Sequence, residues 1–248
     1  MEAWTPMSMP DLSEWLKTPL GRYLMDWERA GLERMVADIF GYRAVQIGLP
    51  GVDLLAANRM PFRFRCARVG AAAVLAHEFE LPFATASMDL VLMPHVLEFS
   101  ADPHRVLREV ERVLVAEGSV VLSGLNPLSL WGLRRMAART GGVLPWRGHY
   151  RSVMRIKDWL TLLGFEVLEC ESGCHVPAVR SAAWLERWRF MDRIGARWWP
   201  VLGGAYLVHG VKRVQGVRLI TPQWRDGKAR AKRLSTVAQR NDDTRKTQ

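Results

Sequence analysis

The chain has 248 residues, and 49% of them are apolar. A chain of this length and apolar content can bury a sizeable core, which excludes wholesale disorder, collagen and small disulfide scaffolds. Lys and Arg outnumber Asp and Glu by 35 to 25, so the formal net charge is +10. We therefore expect one main folded domain.

The sequence contains no obvious membrane-spanning or secretory segment. No window reaches the roughly 18 consecutive apolar residues that a spanning helix needs, and the best run, residues 198–211, is broken by Pro200 and His209. Residues 1–15 carry acidic but no basic side chains, which is the wrong start for a signal peptide. The chain has three cysteines, and this odd number argues against a disulfide framework. These features favour a cytoplasmic protein.

The positive charge is concentrated in residues 214–248, which hold nine Lys or Arg and three Asp. From about Trp224 the apolar periodicity is lost, so this stretch cannot bury enough surface to offset the entropy of ordering it. We expect a basic, disordered tail with weak, salt-sensitive attraction to polyanions, and no specific nucleic-acid binding. The predicted division is then an N-terminal helical extension at 1–41, a main domain at 42–213, and this tail.

The main domain alternates strands and helices. Apolar residues recur at helical spacing over 24–39, where Gly41 ends the helix, and a strand is predicted at 43–48. Asp102 and Pro103 are typical of the first residues of a helix, here with an apolar stripe from Val106 to Leu114. The other predicted strands lie at 62–66, 71–76, 89–93, 119–123, 165–170 and 205–213, and the other helices at 52–59, 128–138, 156–163 and 184–199.

This alternation predicts an α/β fold: a doubly wound, mostly parallel sheet of seven strands with helices on both faces. Two other kinds of ligand site, for zinc and for a nicotinamide cofactor, are disfavoured by the sequence. Cys170, Cys174 and His175 have no second ligand pair nearby, which favours a strand end and turn over zinc, so no metal is predicted. A nicotinamide site is disfavoured because the sequence lacks G-x-G-x-x-G.

The stretch 81–114 carries a combination of residues with a specific spacing. It contains an LPF segment at Leu81, a Ser-x-Asp strand start at Ser87, and a helix that ends in Arg112-Val-Leu, while Gly164 opens a late strand. This combination resembles class I S-adenosylmethionine-dependent methyltransferases, in the small-molecule branch called type 11. The resemblance covers roughly 42–213. It implies a Rossmann-like methyltransferase fold, S-adenosylmethionine as cofactor and an unidentified small-molecule methyl acceptor.

The part of the sequence that would hold the cofactor departs from the family. Gln46 stands where the family usually has Asp at the end of the first strand, and His77 replaces the usual Asp at the adenine position. No acidic residue for the ribose follows the second strand, where the sequence reads Arg65-Cys-Ala-Arg68. The resemblance still assigns the cofactor to Gly48, Leu49, Gly51, His77, Glu78, Met93 and His95.

Methyl transfer from a sulfonium is an in-line displacement, which requires alignment and exclusion of water more than fixed catalytic groups. His95 is the one candidate general base, and a histidine that bonds locally at a helix start is the alternative. Asn126, His149 and Tyr150 follow central strands, where they would either shape an acceptor pocket or pack the loops.

Three tryptophans share a stripe at helical spacing, Trp184, Trp188 and Trp198, with basic residues on the opposite side. This stripe indicates either a helix that contacts a membrane surface or a helix that packs on the sheet.

Two functions therefore stay open. The chain is a methyltransferase that uses S-adenosylmethionine on a small molecule, or it is a non-catalytic binding or regulatory module derived from that fold. The degenerate cofactor motif is the reason for the second hypothesis.

Overall fold

The computed structural model describes residues 9–137, 148–179 and 181–214. Its strands are β1 (Arg43–Ile47), β2 (Phe62–Ala67), β3 (Val74–Leu75), β4 (Met88–Pro94), β5 (Leu114–Leu125), β6 (Phe165–Gly173) and β7 (Ala205–Lys212). Its helices are α1 (Met9–Leu16), α2 (Pro19–Ala37), α3 (Val96–Phe99), α4 (Pro103–Val113), α5 (Leu130–Ala137), α6 (Val153–Leu162), α7 (Ala182–Trp188) and α8 (Phe190–Trp198), with a short 3-10 helix at Pro200–Leu202.

The seven strands form one sheet in the order β3-β2-β1-β4-β5-β7-β6. The first five are parallel, whereas β7 runs antiparallel to both β5 and β6. The predicted fold class is confirmed: this is a mostly parallel, doubly wound α/β sheet of seven strands with a Rossmann-like order. Because β7 alone is reversed, β1, β2, β4, β5 and β6 all end at the same edge, which we call the carboxyl edge.

The middle of the sheet is built from the most apolar strands. Residues Leu90 to Met93 of β4 and Val120 and Val121 of β5 are fully buried, as expected for strands covered on both faces. Asp102 caps α4 by accepting a hydrogen bond from the Arg105 N–H, as its position before Pro103 predicts.

The helix α2 packs against β5 and β7 and reaches the carboxyl edge. Thr18 caps it by accepting from the Gly21 N–H. Leu24 packs with Leu49 from the loop after β1, and Leu32, two turns later, packs with Ala44 of β1. The predicted division at residue 41 stays a prediction, and the predicted tail lies outside the described residues.

The helix predicted at 52–59 is wrong, because this segment is a series of turns. Side chains satisfy its backbone groups instead of an i to i−4 ladder: Gln46 Oε1 accepts from the Leu54 N–H, and Asp53 Oδ1 accepts from the Leu55 N–H. Asn58 donates to the carbonyls of Val36 and Ile39 at the end of α2. Such local side-chain bonds compete with helix formation.

The single helix predicted at 184–199 is also wrong, because α7 ends at Trp188 and α8 begins at Phe190. Each of the two helices has its own inward-facing residue, Leu185 in α7 and Gly195 in α8. The strand predicted at 71–76 shrinks to Val74–Leu75. The other predicted strands and helices are confirmed to within a few residues at each end. Among the described residues, no helix is both long and apolar enough to cross a membrane.

Candidate cofactor site

A narrow crevice lies at the carboxyl ends of β1 and β2. Its walls include Gly48, Ala67, Arg68, Glu78 and Phe99. Its volume is about 20 Å³, which is enough for a single water but far below the roughly 300–1,000 Å³ of pockets that hold drug-sized ligands. A nucleoside therefore needs the side chains of this crevice to move apart.

The loop between β1 and the crevice is held by the buried side chain of Gln46. Its amide nitrogen faces the carbonyls of Gly48, Leu49 and Val52 at 3.1, 3.1 and 2.8 Å, while its oxygen accepts from Leu54. A carboxylate could not make these contacts, since it has no N–H donor. The residue that departs from the family thus closes the loop on itself.

Three residues of this loop, Gly48, Leu49 and Gly51, were predicted to bind the cofactor, but they do not all lie at the crevice. Gly48 lines it, and its φ of 84° is a backbone conformation that favours glycine. Leu49 is fully buried, packing with Leu24 and Phe99 in the apolar cluster beneath α1 and α2. Gly51 is exposed and has no neighbour where a side chain would begin.

Glu78 places a carboxylate in the crevice. It is mostly buried and makes no hydrogen bond with the described residues: its nearest cations are Arg68 Nε at 4.0 Å and His77 Nδ1 at 3.9 Å. The His77 ring packs on Phe79 with 4.7 Å between ring centroids. The end of β2 has no acidic residue, but Glu78, from the segment after β3, brings a carboxylate to the same crevice. Its free acceptor atoms fit the hydroxyls of a ribose.

The thiol at the end of β2 does not add a charge to this crevice. Burial, together with the neighbouring Glu78 carboxylate, raises the pKa of Cys66 to about 11. The Cys66 side chain is therefore a neutral thiol at physiological pH.

The end of β4 holds a buried ionic cluster that we call the Glu-His-Glu cluster, formed by Glu28, His95 and Glu98. His95 Nε2 lies 2.8 Å from Glu28 Oε1, and His95 Nδ1 lies 3.1 Å from Glu98 Oε1. All three side chains are essentially inaccessible to solvent. Burial acts to lower the pKa of His95, but the two carboxylates outweigh it and hold this pKa well above its ordinary value.

The backbone is strained at the carboxyl edge. Leu49, His95 and Cys174 have φ of 44°, 53° and 59°, and they follow β1, β4 and β6 respectively. Positive φ is unusual for bulky residues and is found most often at ligand-binding and catalytic sites. Met93, which was predicted to contact the cofactor, has its side chain in the core between α4 and the sheet.

Sequence reasoning missed Glu28. It lies four residues after Leu24 and four before Leu32, both fully buried, so it occupies the apolar face of α2. An acidic residue in the middle of an apolar helix face was the available signal, since glutamate is rarely buried without a partner.

The candidate acceptor residues have structural contacts. Asn126 donates to the carbonyls of Val201 and Gly203. The backbone N–H of His149 donates to the Glu98 carbonyl. The Tyr150 hydroxyl is buried without a hydrogen-bond partner, and burial together with Glu98 raises its pKa.

The motif residues around Leu81 hold the fold together rather than contact the crevice. Arg112 donates to the carbonyls of Leu81 and Phe83 at 3.1 and 2.9 Å, and it also pairs with Glu109. Glu109 in turn accepts from the Leu81 N–H. This network joins α4 to the LPF segment, so its spacing reflects packing.

The predicted tryptophan stripe does not lie on one face of one helix. Trp188 is partly buried against the cluster beneath α1 and α2, whereas Trp184 and Trp198 are exposed. Around Trp198, an apolar surface includes Ile194, Trp199 and Leu202, which also line a shallow pocket of about 250 Å³.

Residues 45–122 match a family model described as a methyltransferase domain. The Escherichia coli (strain K12) protein YafS, which is uncharacterized, is 45% identical over 103 residues, or 42% of each chain. The match thus spans less than half the length of this curated relative.

Solved structures share the fold at low sequence identity. A Haloferax volcanii methyltransferase in complex with the Trm112 methyltransferase activator has a TM-score of 0.59 at 16% identity, covering 85% of this chain and 99% of its own. An Archaeoglobus fulgidus S-adenosylmethionine-dependent methyltransferase scores 0.54 at 18% identity, with 75% and 94% coverage. The [4+2]-cyclase SpnF scores 0.55 at 15% identity, with 85% and 97% coverage.

Residues 45–122 are therefore similar to a methyltransferase domain, and the described residues share the fold of solved methyltransferases. The resemblance drawn from residues 81–114 to the type 11 branch is confirmed.

Proposed function

We propose that the protein is an S-adenosylmethionine-dependent methyltransferase with a small-molecule acceptor. The observation that carries this proposal is the Glu78 carboxylate, which stands in the crevice beside Gly48 without a hydrogen bond. A carboxylate that receives no hydrogen bond from the described residues keeps its acceptor atoms available to a ligand. The vicinal hydroxyls of a ribose are donors of the right kind.

The residues present fit the adenosine end of the cofactor. Gly48 lets a ligand approach the backbone closely, and Ala67 and Ala76 leave room for a ring once Arg68 moves aside. The bound cofactor would supply a methyl group already activated on a sulfonium. The chain's own contribution would be to position the acceptor and exclude water. His95, the candidate general base, does not suit the removal of a proton, because Glu28 and Glu98 hold its pKa well above the ordinary value.

A second candidate function has its own support. The crevice holds only about 20 Å³, and Gln46 closes the neighbouring loop. The [4+2]-cyclase SpnF shares the fold, so the fold alone does not dictate methyl transfer. A non-catalytic module that binds no nucleoside is the alternative.

Calorimetric titration with S-adenosylmethionine and S-adenosylhomocysteine separates the two. The proposal expects saturable binding that weakens about tenfold in Glu78→Gln, because a charged acceptor is replaced by a neutral one. Glu80→Gln is the matched control, since Glu80 is exposed and pairs with Arg105. Absence of binding at millimolar nucleoside would reject the enzyme and favour the alternative.

Contact with a membrane surface is a further part of the proposal. The apolar surface around Trp198 is flanked by exposed Arg193 and Arg197. Exposed aromatic side chains beside basic ones suit the headgroup region of an anionic membrane. Such contact would bring the protein to an apolar acceptor.

A further inference from the structure

The second N-terminal helix, which lies outside the matched residues 45–122, brings a carboxylate to the carboxyl edge. Glu28 is fully buried on α2, one turn after Leu24, which shares an apolar cluster with Leu49 after β1. Glu28 itself contacts His95, which follows β4. This position sets Glu28 over the ends of the two strands between which a ligand would bind. Ligands of open α/β sheets bind at this edge.

The Glu-His-Glu cluster sets two carboxyl groups against one imidazole. Glu28 Oε2 and Glu98 Oε2 are buried without a hydrogen-bond partner. Cys174 and the hydroxyls of Tyr150 and Tyr206 lie near the cluster, and burial keeps all three neutral by raising their pKa values. The charges of Arg135 and Arg151 act in the opposite direction on the pKa values of Tyr150 and Tyr206, respectively.

Buried carboxyl oxygens without a donor are costly unless a ligand supplies one. None of the described Lys or Arg side chains forms an ion pair with Glu28 or Glu98. The unpartnered oxygens of Glu28 and Glu98 are therefore suited to a positively charged group with several N–H donors. An alkylammonium group has this chemistry.

The end of β1 and the loop after it offer no buried carboxylate for such a group. Gln46 of β1 is neutral, and both ends of its amide are used by loop backbone groups, while Asp53 of the loop is exposed and accepts from the Leu55 N–H. The buried carboxylate that the loop lacks is thus available from α2, on the other side of the carboxyl edge.

We propose that Glu28 binds the α-ammonium group of the amino-acid end of S-adenosylmethionine, in place of the acidic residue missing at Gln46. This inference rests on the proposed function. It assigns α2 to the cofactor site, and it requires α2 to shift slightly when the ligand enters, because the cluster is closed to solvent.

The test compares two neutral thioether nucleosides at pH 7.5 by calorimetry. S-adenosylhomocysteine has the amino-acid end, whereas 5′-methylthioadenosine lacks it. Glu28→Gln should weaken S-adenosylhomocysteine binding about 10- to 100-fold, as for the loss of a hydrogen bond to a charged group, and should change 5′-methylthioadenosine binding less than about twofold. Asp26→Asn, an exposed carboxylate on the same helix, should change neither.

Binding of 5′-methylthioadenosine also reports whether the variant is folded at the crevice. If Glu28→Gln does not fold, Glu28→Asp, which retracts the carboxylate by one methylene, should show the same selective loss to a smaller extent. Equal effects of either variant on both nucleosides would overturn the assignment to Glu28 while leaving the proposed function intact. Failure of the wild-type protein to bind either nucleoside would overturn both.

Discussion

Glu28 Oε1 lies 2.8 Å from His95 Nε2, and both side chains are completely buried. One residue belongs to α2 and the other ends the central strand β4. The pair therefore joins the N-terminal helices to the edge of the sheet at which class I methyltransferase folds bind their ligands. Disruption of this contact should be visible both in stability and in binding.

The first prediction concerns the pH dependence of stability. The pKa of His95 is raised in the folded state, so its protonation stabilises the protein fully below pH 6.5, its ordinary value, and this contribution is lost as pH rises through the raised pKa. We expect His95→Asn, which tolerates the positive φ, to lower the free energy of unfolding by about 3–5 kcal/mol near pH 7. The difference from the wild type should narrow as the pH is raised above 7.

Urea unfolding at a series of pH values measures this difference. His104→Asn removes an exposed histidine from α4 and should show a small difference that does not change over the same range. A His95→Asn difference that stayed constant with pH would show that the His95 imidazole is not held in its charged form.

The second prediction concerns the loop held by Gln46. Gln46→Glu would direct a carboxylate at the carbonyls of Gly48, Leu49 and Val52, so it should destabilise the fold by about 3 kcal/mol or more. The loss should be smaller at pH 4.5, where the new carboxyl is protonated. Gln46→Met should cost a similar amount at both pH values, and a Gln46→Glu protein as stable as the wild type would contradict the loop geometry.

The third prediction tests how α2 is held. The Tyr23 hydroxyl donates to both Asp192 carboxylate oxygens, at 2.6 and 2.8 Å, and burial raises its pKa, so it stays a donor. Tyr23→Phe should lower the free energy of unfolding by about 1.5–3 kcal/mol, the range for a hydrogen bond to a charged group. Tyr42→Phe, at a tyrosine that is 72% exposed, is the control. Equal effects in thermal unfolding would argue against this contact.

The fourth prediction separates packing from chemistry in the motif around Leu81. Lysine cannot replace the fork of donors with which Arg112 reaches Leu81, Phe83 and Glu109. Arg112→Lys should cost about 1–2 kcal/mol in denaturant unfolding, whereas Arg108→Lys, on the exposed side of α4, should cost almost nothing. Nucleoside affinity should stay within twofold of the wild type. A selective loss of affinity would instead give Arg112 a role in binding.

The fifth prediction concerns the surface around Trp198. In flotation with vesicles that contain an anionic lipid, wild-type protein should float, and Trp198→Ser should float less. Trp188→Ser is a poorer test because this side chain also packs on the cluster beneath α1 and α2. Identical distributions of wild type and Trp198→Ser would remove the proposed membrane contact.

The sheet could be predicted because its signals are local. The apolar run of β4 and the Asp102-Pro103 start of α4 each specify an element without help from the rest of the chain. The turns at 52–59 could not be predicted in this way. Their backbone groups are satisfied by Gln46 and Asn58, and the side-chain partners of these two residues become known only in the folded chain.

The residues of the candidate site also fall into those that could be predicted from the sequence and those that could not. Gly48 was assigned by its place in the family pattern and Glu78 as the neighbour of His77, and the crevice brings Gly48 and Glu78 together. Leu49 and Met93 were assigned by the same pattern, but their side chains belong to apolar clusters. Glu28 lies far along the chain from His95 and outside the resemblance, so only the fold reveals their contact.

The measurement that tests the account most directly is a crystal structure determined at saturating S-adenosylhomocysteine. We predict electron density for the adenosyl group between Gly48 and the Glu78 carboxylate, with Arg68 displaced and the amino-acid end directed toward Glu28. A crevice that stays closed under these conditions, or a nucleoside bound elsewhere on the protein, would contradict the assignment of the cofactor to this edge of the sheet.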